Sequence, residues 1–309
     1  MILKIGKIWY TILVMKTLYT HQLENINKTW LLMIGFLGGV IGIGYFISQI
    51  YGNPTILYGF IGFSIVMNLV SFWFADKIAL SSARAIPADE HHYRELHQII
   101  ENLAITAGLP KPRVYIINDQ AMNAFATGRN KNNAAVAFTT GLIANLDRSE
   151  LEGVAAHELS HIGNRDILIS TIAVVLVGFV SIVTDFFTRS MIFGGERNDE
   201  NGNRGLLILI GIALSILAPL IATIMQLAIS RKRELLADAS GVLLTRYPEG
   251  LANALRKIDA QSRPLQNASN ATAHLYISNP FGKQLGFIQK LFMTHPPIAE
   301  RLAALKDTE

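Results

Sequence analysis

The sequence predicts a mainly α-helical integral membrane protein with about four transmembrane helices and an α+β domain that carries a small sheet. Three observations predict it. Half of the 309 residues are hydrophobic and only 16% are charged, against about 25% charged in ordinary soluble proteins. The apolar residues gather into long runs instead of spreading evenly, as a soluble core requires. The polar stretch between the second and third runs shows a helix-period segment, then short strand-type runs, then a second helix.

Residues 1–29 come first. Lys4 and Lys7 precede a short apolar run, Ile8 to Met15, which Thr11 interrupts and which no small-x-small cleavage site follows. An interfacial amphipathic segment fits this better than a signal peptide. The first long run, Trp30 to Ile50, and the second, Thr55 to Phe74, are each near the ~20 residues a helix needs to cross the hydrocarbon core. Only Tyr51-Gly52-Asn53-Pro54 separates them, so residues 30–75 read as a helical hairpin. The third run, from Ile167 to about Phe187, and the fourth, from Gly205 to about Ile229, lie within 167–229. The Gly- and Asn-rich linker Thr188–Arg204 between them reads as a mobile loop. This second pair either spans or forms a hairpin buried in protein.

Lys and Arg give the orientation. The Tyr51–Pro54 turn has none, whereas Lys28, Lys77, Arg84 and Arg231-Lys232-Arg233 flank the runs. Basic flanks favour the cytoplasmic side, which places the polar regions 76–166 and 230–309 there and the hairpin turns outside. The same placement accounts for a pI of about 9.2 without a nucleic-acid partner, since the basic residues form no stripe with interleaved aromatics. Gly42 and Gly44 lack a third glycine at dinucleotide spacing. Cysteine is absent, so there is no disulfide framework, and any metal must use His and carboxylate ligands.

In the first polar region, Asp89 to Ala107 reads as an amphipathic helix with Tyr93, Leu96, Ile99, Ile100 and Leu103 on one side, ended by Gly108 and Pro110. Val114–Ile117 and Ala134–Thr139 are β-rich. A further helix begins at Asp147 or Ser149, either of which caps it, with Glu150 and Glu152 in its first turn.

On that helix sits His157-Glu158-Leu159-Ser160-His161. Positions i and i+4 share a helical face, so both imidazoles can grip one ion while Glu158 takes a proton from an activated water. A purely structural metal site would use the same two histidines. Catalytic zinc usually takes a third protein ligand. His91, His92 and His97 suit solvated positions on the amphipathic helix. Glu234 is the stronger candidate, with Asp238 one turn on to accept the other ring N–H of a ligating histidine. Both carboxylates could equally offset Arg231, Lys232 and Arg233.

The chain resembles the HtpX family of bacterial membrane metalloproteases over nearly its whole length. The matching motifs are Asn123-Ala124-Phe125-Ala126-Thr127-Gly128, the run from His157 to Asp166, Arg231 to Asp238, and Met293-Thr294-His295-Pro296-Pro297. The resemblance implies a zincin-like cytoplasmic catalytic domain and a zinc endopeptidase of the bacterial inner membrane that cuts damaged or misassembled membrane proteins. It makes Glu234 the third zinc ligand and Asp238 the carboxylate behind a ligand. By analogy with gluzincin proteases, His295 would steady the oxyanion, aided by Arg301; the plainer reading is a helix start with Arg301 solvated. Asn123, Ala124, Phe125, Ala126 and Thr127 are the candidate substrate-binding segment, and the Ala134–Thr139 strand would present an edge to extended peptide.

The implied partners are polypeptide substrates and the lipid bilayer, with no nucleic acid. Two alternatives share the metal motif: a catalytically idle zinc-containing scaffold and a CAAX-type prenyl endopeptidase. The N-terminus is longer than the family pattern, and the Ser, Asn and Gly content of Gln261–Lys283 suggests a mobile flap near the site.

Overall fold

A computed structural model of the chain describes residues 2–193, 211, 231–269, 271–282 and 296–306, with backbone alone at 2–22, 50 and 180–193. Helix α1 runs from Ile2 to Tyr51 and α2 from Pro54 to Ser82. Asn53 caps α2 by accepting from the Thr55 amide at 3.0 Å, and Pro54 fits the first turn, where no N–H is needed. The stretch Leu23–Gln49 of α1 and the whole of α2 are long and apolar enough to cross a membrane. Their outward faces expose Trp30, Leu31, Ile34, Val66 and Trp73, a surface that suits lipid and not water.

The helix runs without a break through the residues expected to form a separate interfacial segment. Within it, Asn25 and Thr29 are buried against the rest of the molecule.

The sheet has the order β1-β2-β4-β3, with β1 Ile86–Pro87, β2 Arg113–Ile117, β3 Ala124–Gly128 and β4 Ala134–Thr139. Strands β2 and β4 pair in parallel, while β1 with β2 and β3 with β4 are antiparallel. The expectation that Ala134–Thr139 presents an edge is thus corrected: β4 is interior, and the edge strands are β1 and β3. Its composition gives the reason. Ala134, Val136 and Phe138 enter one apolar cluster and Ala135 and Ala137 the other, so both faces of β4 are covered. Gly128 closes β3 at φ 144°, where a Cβ would lie 2.4 Å from the Asn133 carbonyl oxygen.

The remaining described helices are α3 Arg94–Ala107, α4 Thr140–Asn145, α5 Arg148–Gly163, α6 Asp166–Phe193, α7 Arg231–Thr245, α8 Pro248–Ala260 and α9 Ile298–Lys306. Asp147 caps α5, and the Asp147 and Glu150 side chains satisfy each other's backbone amides. Helix α5 packs centrally, contributing Leu151, Val154, Ala155, Leu159 and Ile162 to the main core. At Asn164 and Arg165 (φ 60°) the chain turns, and α6 departs from α5 at 86°. It then packs on α1, Ile169, Ile172, Ala173 and Leu176 meeting Leu32, Phe36 and Val40.

Thr188–Phe193, expected in a loop, continues α6. The fourth apolar run lies outside the described residues except for Gly211. Two stretches are therefore candidate spans among the described residues, or three if α5 and α6 count as one broken span. The segment expected as a flap is seated: Leu265, Leu275, Tyr276 and Ile277 are buried, and the Tyr276 ring stands edge-on to Phe125 at 5.2 Å.

Candidate active site

The inner face of α5 carries His157, Glu158 and His161, the first two almost fully buried. Helix α7 crosses it closely because Gly241 faces the α5 backbone, where a Cβ would stand 3.1 Å from the His157 amide nitrogen. That contact brings Glu234 and Asp238 to the histidines. His157 Nε2 and His161 Nε2 are 3.2 Å apart, and each lies 3.6 Å from an oxygen of Glu234. Ligands held at 2.0–2.1 Å around a tetrahedral zinc stand about 3.3 Å from one another. The two nitrogens and one carboxylate of this group fit such an ion.

Each ring is oriented from behind. His157 Nδ1 lies 2.8 Å from Asp238 Oδ1, and His161 Nδ1 lies 3.0 Å from Asp166 Oδ2. A carboxylate can only accept from an imidazole N–H, so both Nε2 lone pairs turn inward. Arg301 Nη2 approaches His157 Nδ1 at 3.4 Å, but it is itself a donor, and the shorter contact with Asp238 sets the tautomer.

Arg301 is fully buried and donates to Asp238 through Nε at 2.8 Å and Nη2 at 2.6 Å, and to the Ile277 carbonyl at 3.2 Å. Burial disfavours charge on Asp238, yet Arg301, and then His157, outweigh it and hold the carboxyl well below its usual range. Burial and Arg301 also oppose charge on His157, while Asp238 and Glu234 prevail and raise it to about 9. For His161, burial is again the largest influence and is overcome by Glu234 and Asp166, so its pKa rises. The pocket therefore favours positive charge where the donor atoms converge.

A cavity of about 30 Å³ adjoins this point, lined by Glu158, His161, Glu234, Ala126, His274 and Leu275 among others. Strand β3 forms one wall. Its Ala124 carbonyl accepts from the Ile277 amide at 2.9 Å, and its Gly128 amide donates to Thr171 Oγ1 at 3.1 Å. By strand alternation, Ala126 between them presents its N–H and C=O on that same side, away from β4.

The structure thus brings together Glu158, His157, His161, Glu234, Asp238 and Ala126. It places Arg301 behind His157, braced on Asp238 and not lining the cavity. The Asn123 side chain is engaged away from it, donating to the Ser278 carbonyl at 3.0 Å and accepting from the Ser278 amide at 3.2 Å. Phe125 and Thr127 point from the alternate strand positions, Phe125 into the Tyr276 contact and Thr127 towards Thr171 at 3.0 Å. His295 lies outside the described residues. His91 and His92 are exposed and His97 faces the Ala88 carbonyl at 3.2 Å, apart from the metal-fit group.

Sequence reasoning gave no role to Asp166 or His274. The five-residue offset of Asp166 from His161 becomes informative only once α5 is seen to end at Gly163. His274 carries no local signal.

Residues 90–309 match the family model described as peptidase family M48. The chain is 46% identical over 297 residues to a "Protease HtpX homolog" of Caldanaerobacter subterraneus subsp. tengcongensis, covering 94% of this chain and 98% of the relative. It is 47% identical over 301 residues to the protein of the same description from Thermoanaerobacter pseudethanolicus, with the same coverages. A third such relative, from Pyrococcus furiosus, is 46% identical over 281 residues, covering 90% of this chain and 94% of its own. Among solved structures, the crystal structure of S. mikatae Ste24p aligns with a TM-score of 0.50 at 20% identity, over 93% of this chain and 67% of that one. At that identity the likeness is one of fold alone.

Proposed function

Since the chain belongs to peptidase family M48, and is an HtpX-type membrane-bound metalloprotease, we propose that it is a zinc endopeptidase acting at the cytoplasmic face of the bacterial inner membrane. The observation that carries this reading is the convergence of His157, His161 and Glu234 on one point beside the buried carboxylate of Glu158. Zinc held there would supply the Lewis acidity that makes a water nucleophilic at neutral pH.

The chain's own groups do the rest. Glu158 takes the proton of the attacking water on its carboxylate and returns it to the leaving amine. Asp238 and Asp166 keep the two imidazoles turned inward. An extended substrate adds to the β3 edge through the Ala126 main chain, which binds peptide with little regard to sequence. His295 is assigned to the oxyanion by resemblance alone.

The substrates we infer are misfolded or damaged membrane proteins in a quality-control role. Support comes from position: Asp166, bonded to His161, opens the helix that packs on the apolar α1, so the metal group sits beside the membrane helices. The scaffold reading gives Glu158 no task.

The experiment is purification of full-length protein in detergent with chelator, followed by zinc addition and incubation with casein. The wild type cleaves casein and itself, whereas Glu158→Gln retains zinc and cleaves neither. Zinc-loaded wild type that leaves both intact would return the idle scaffold. Chelator-insensitive cleavage by Glu158→Gln would remove the metalloprotease mechanism.

A further inference from the structure

Asn25 is buried near the start of the apolar stretch of α1. A buried amide in such a setting is costly unless all its groups are bonded, and here they are bonded to the catalytic domain. Its Nδ2 donates to Asp166 Oδ1 at 2.6 Å and lies 3.3 Å from the Asn164 carbonyl oxygen. Its Oδ1 accepts from Arg233 Nη1 at 3.4 Å. Thr29 Oγ1 in turn bonds the Asn25 carbonyl at 2.8 Å, one turn along the helix.

The partners are telling. Asn164 ends α5, Asp166 opens α6 and holds His161 with its other oxygen, and Arg233 immediately precedes Glu234 on α7. One side chain from a membrane helix therefore touches both elements that carry the metal-fit group. With Oδ1 on Asn25 and Oδ2 on His161, the Asp166 carboxylate has no free rotation, and the His161 ring inherits that constraint. An amide serves here because it donates to a carboxylate with one atom and accepts from a guanidinium with another. A leucine would do neither, and an aspartate would set a second negative charge against Asp166.

We propose that Asn25 is a positioning residue of the metal centre, so that α1 helps set the geometry of His161 and Glu234. The inference rests on the zinc reading above. It also gives the residues ahead of Trp30 a role beyond an interfacial segment.

The test uses full-length protein in detergent, stripped of metal and titrated with zinc against a competing chelator, and separately loaded with cobalt. Removing a group that orients a metal ligand typically weakens affinity 10–100-fold. Asn25→Leu is expected to weaken zinc binding about tenfold, at the low end of that range because it acts through Asp166. It should also shift the visible cobalt absorption, which a loss of stability alone would not move. Asn25→Gln, which keeps both bonding groups, restores most of the affinity.

Asn68→Leu serves as control, since that buried amide of α2 donates to the Ser64 carbonyl of its own helix at 3.1 Å; its zinc affinity stays at the wild-type value. If Asn25→Leu does not fold, the Asn25→Gln and Asn25→Asp pair carries the test, and equal affinities for the two would overturn the proposal. Wild-type affinity and spectrum in Asn25→Leu would overturn this inference alone. A wild type with no zinc site sensitive to His157→Ala would overturn the metal reading with it.

Discussion

Asp238 turns the His157 ring, and Arg301 in turn makes a buried charge on Asp238 tolerable, with two hydrogen bonds of 2.8 and 2.6 Å between the pair. Both side chains are almost wholly out of water, so neither can lose its partner cheaply. Arg301→Met leaves a buried uncompensated carboxylate, and removing one partner of such a pair costs about 3–5 kcal/mol. Denaturant unfolding of the detergent-purified protein should show a loss of that size. Arg301→Lys should recover little, because a point charge cannot reproduce the forked contact. Normal stability with lost activity in Arg301→Met would return Arg301 to the oxyanion. At this scale the spacing of His157 and His161 is a local regularity, whereas Glu234 and Asp238 could equally offset the basic residues beside them and were ranked as ligand and partner only by the family resemblance. Asp166 was not given its place because its contact with His161 depends on where α5 ends, and the bracing of Asp238 by Arg301 was not because the two lie 63 residues apart.

Elements decide access to that site. The cavity beside Glu158, about 30 Å³, holds little more than a water, since one water needs about 10–15 Å³ by this measure. A peptide therefore requires displacement of residues 271–282, which cover the β3 edge through the Ile277 amide and the Ser278 backbone. Removing the Asn123 side chain deletes two of these hydrogen bonds, each worth about 0.5–1.5 kcal/mol. Asn123→Ala should accordingly speed amide exchange at Ile277 and Ser278 roughly tenfold, with exchange in α5 unchanged. Unaltered exchange at those amides would assign the hold to Tyr276 packing on Phe125. The identity of β4 as a strand was readable from Ala134–Thr139, but its interior place was not. Whether an apolar strand is covered on one face or two depends on what the rest of the chain lays over it.

Across the whole molecule, the right-angle turn between α5 and α6 joins the catalytic core to the hairpin of α1 and α2. On the reading proposed above, the charge pattern puts the hairpin turn outside and the catalytic domain in the cytoplasm. The chain has no cysteine, so single introduced thiols report the orientation directly. On intact cells, an impermeant maleimide should label Asn53→Cys in the hairpin turn. It should label Ile105→Cys, at a site 72% exposed on α3, only after permeabilisation. The reverse pattern would put the catalytic domain outside.

By itself the sequence determined the membrane class, the hairpin and the helix that carries the His157–His161 pair. Each is written in periodicity, composition or spacing within a few turns of chain. Only the tertiary structure decided that β3 is an edge strand, that 271–282 closes over it, that Arg301 braces Asp238, and that Asn25 reaches Asp166. Those depend on which surfaces meet between separate elements, from the 63 residues between Asp238 and Arg301 to the 141 between Asn25 and Asp166, and no local periodicity encodes which elements meet.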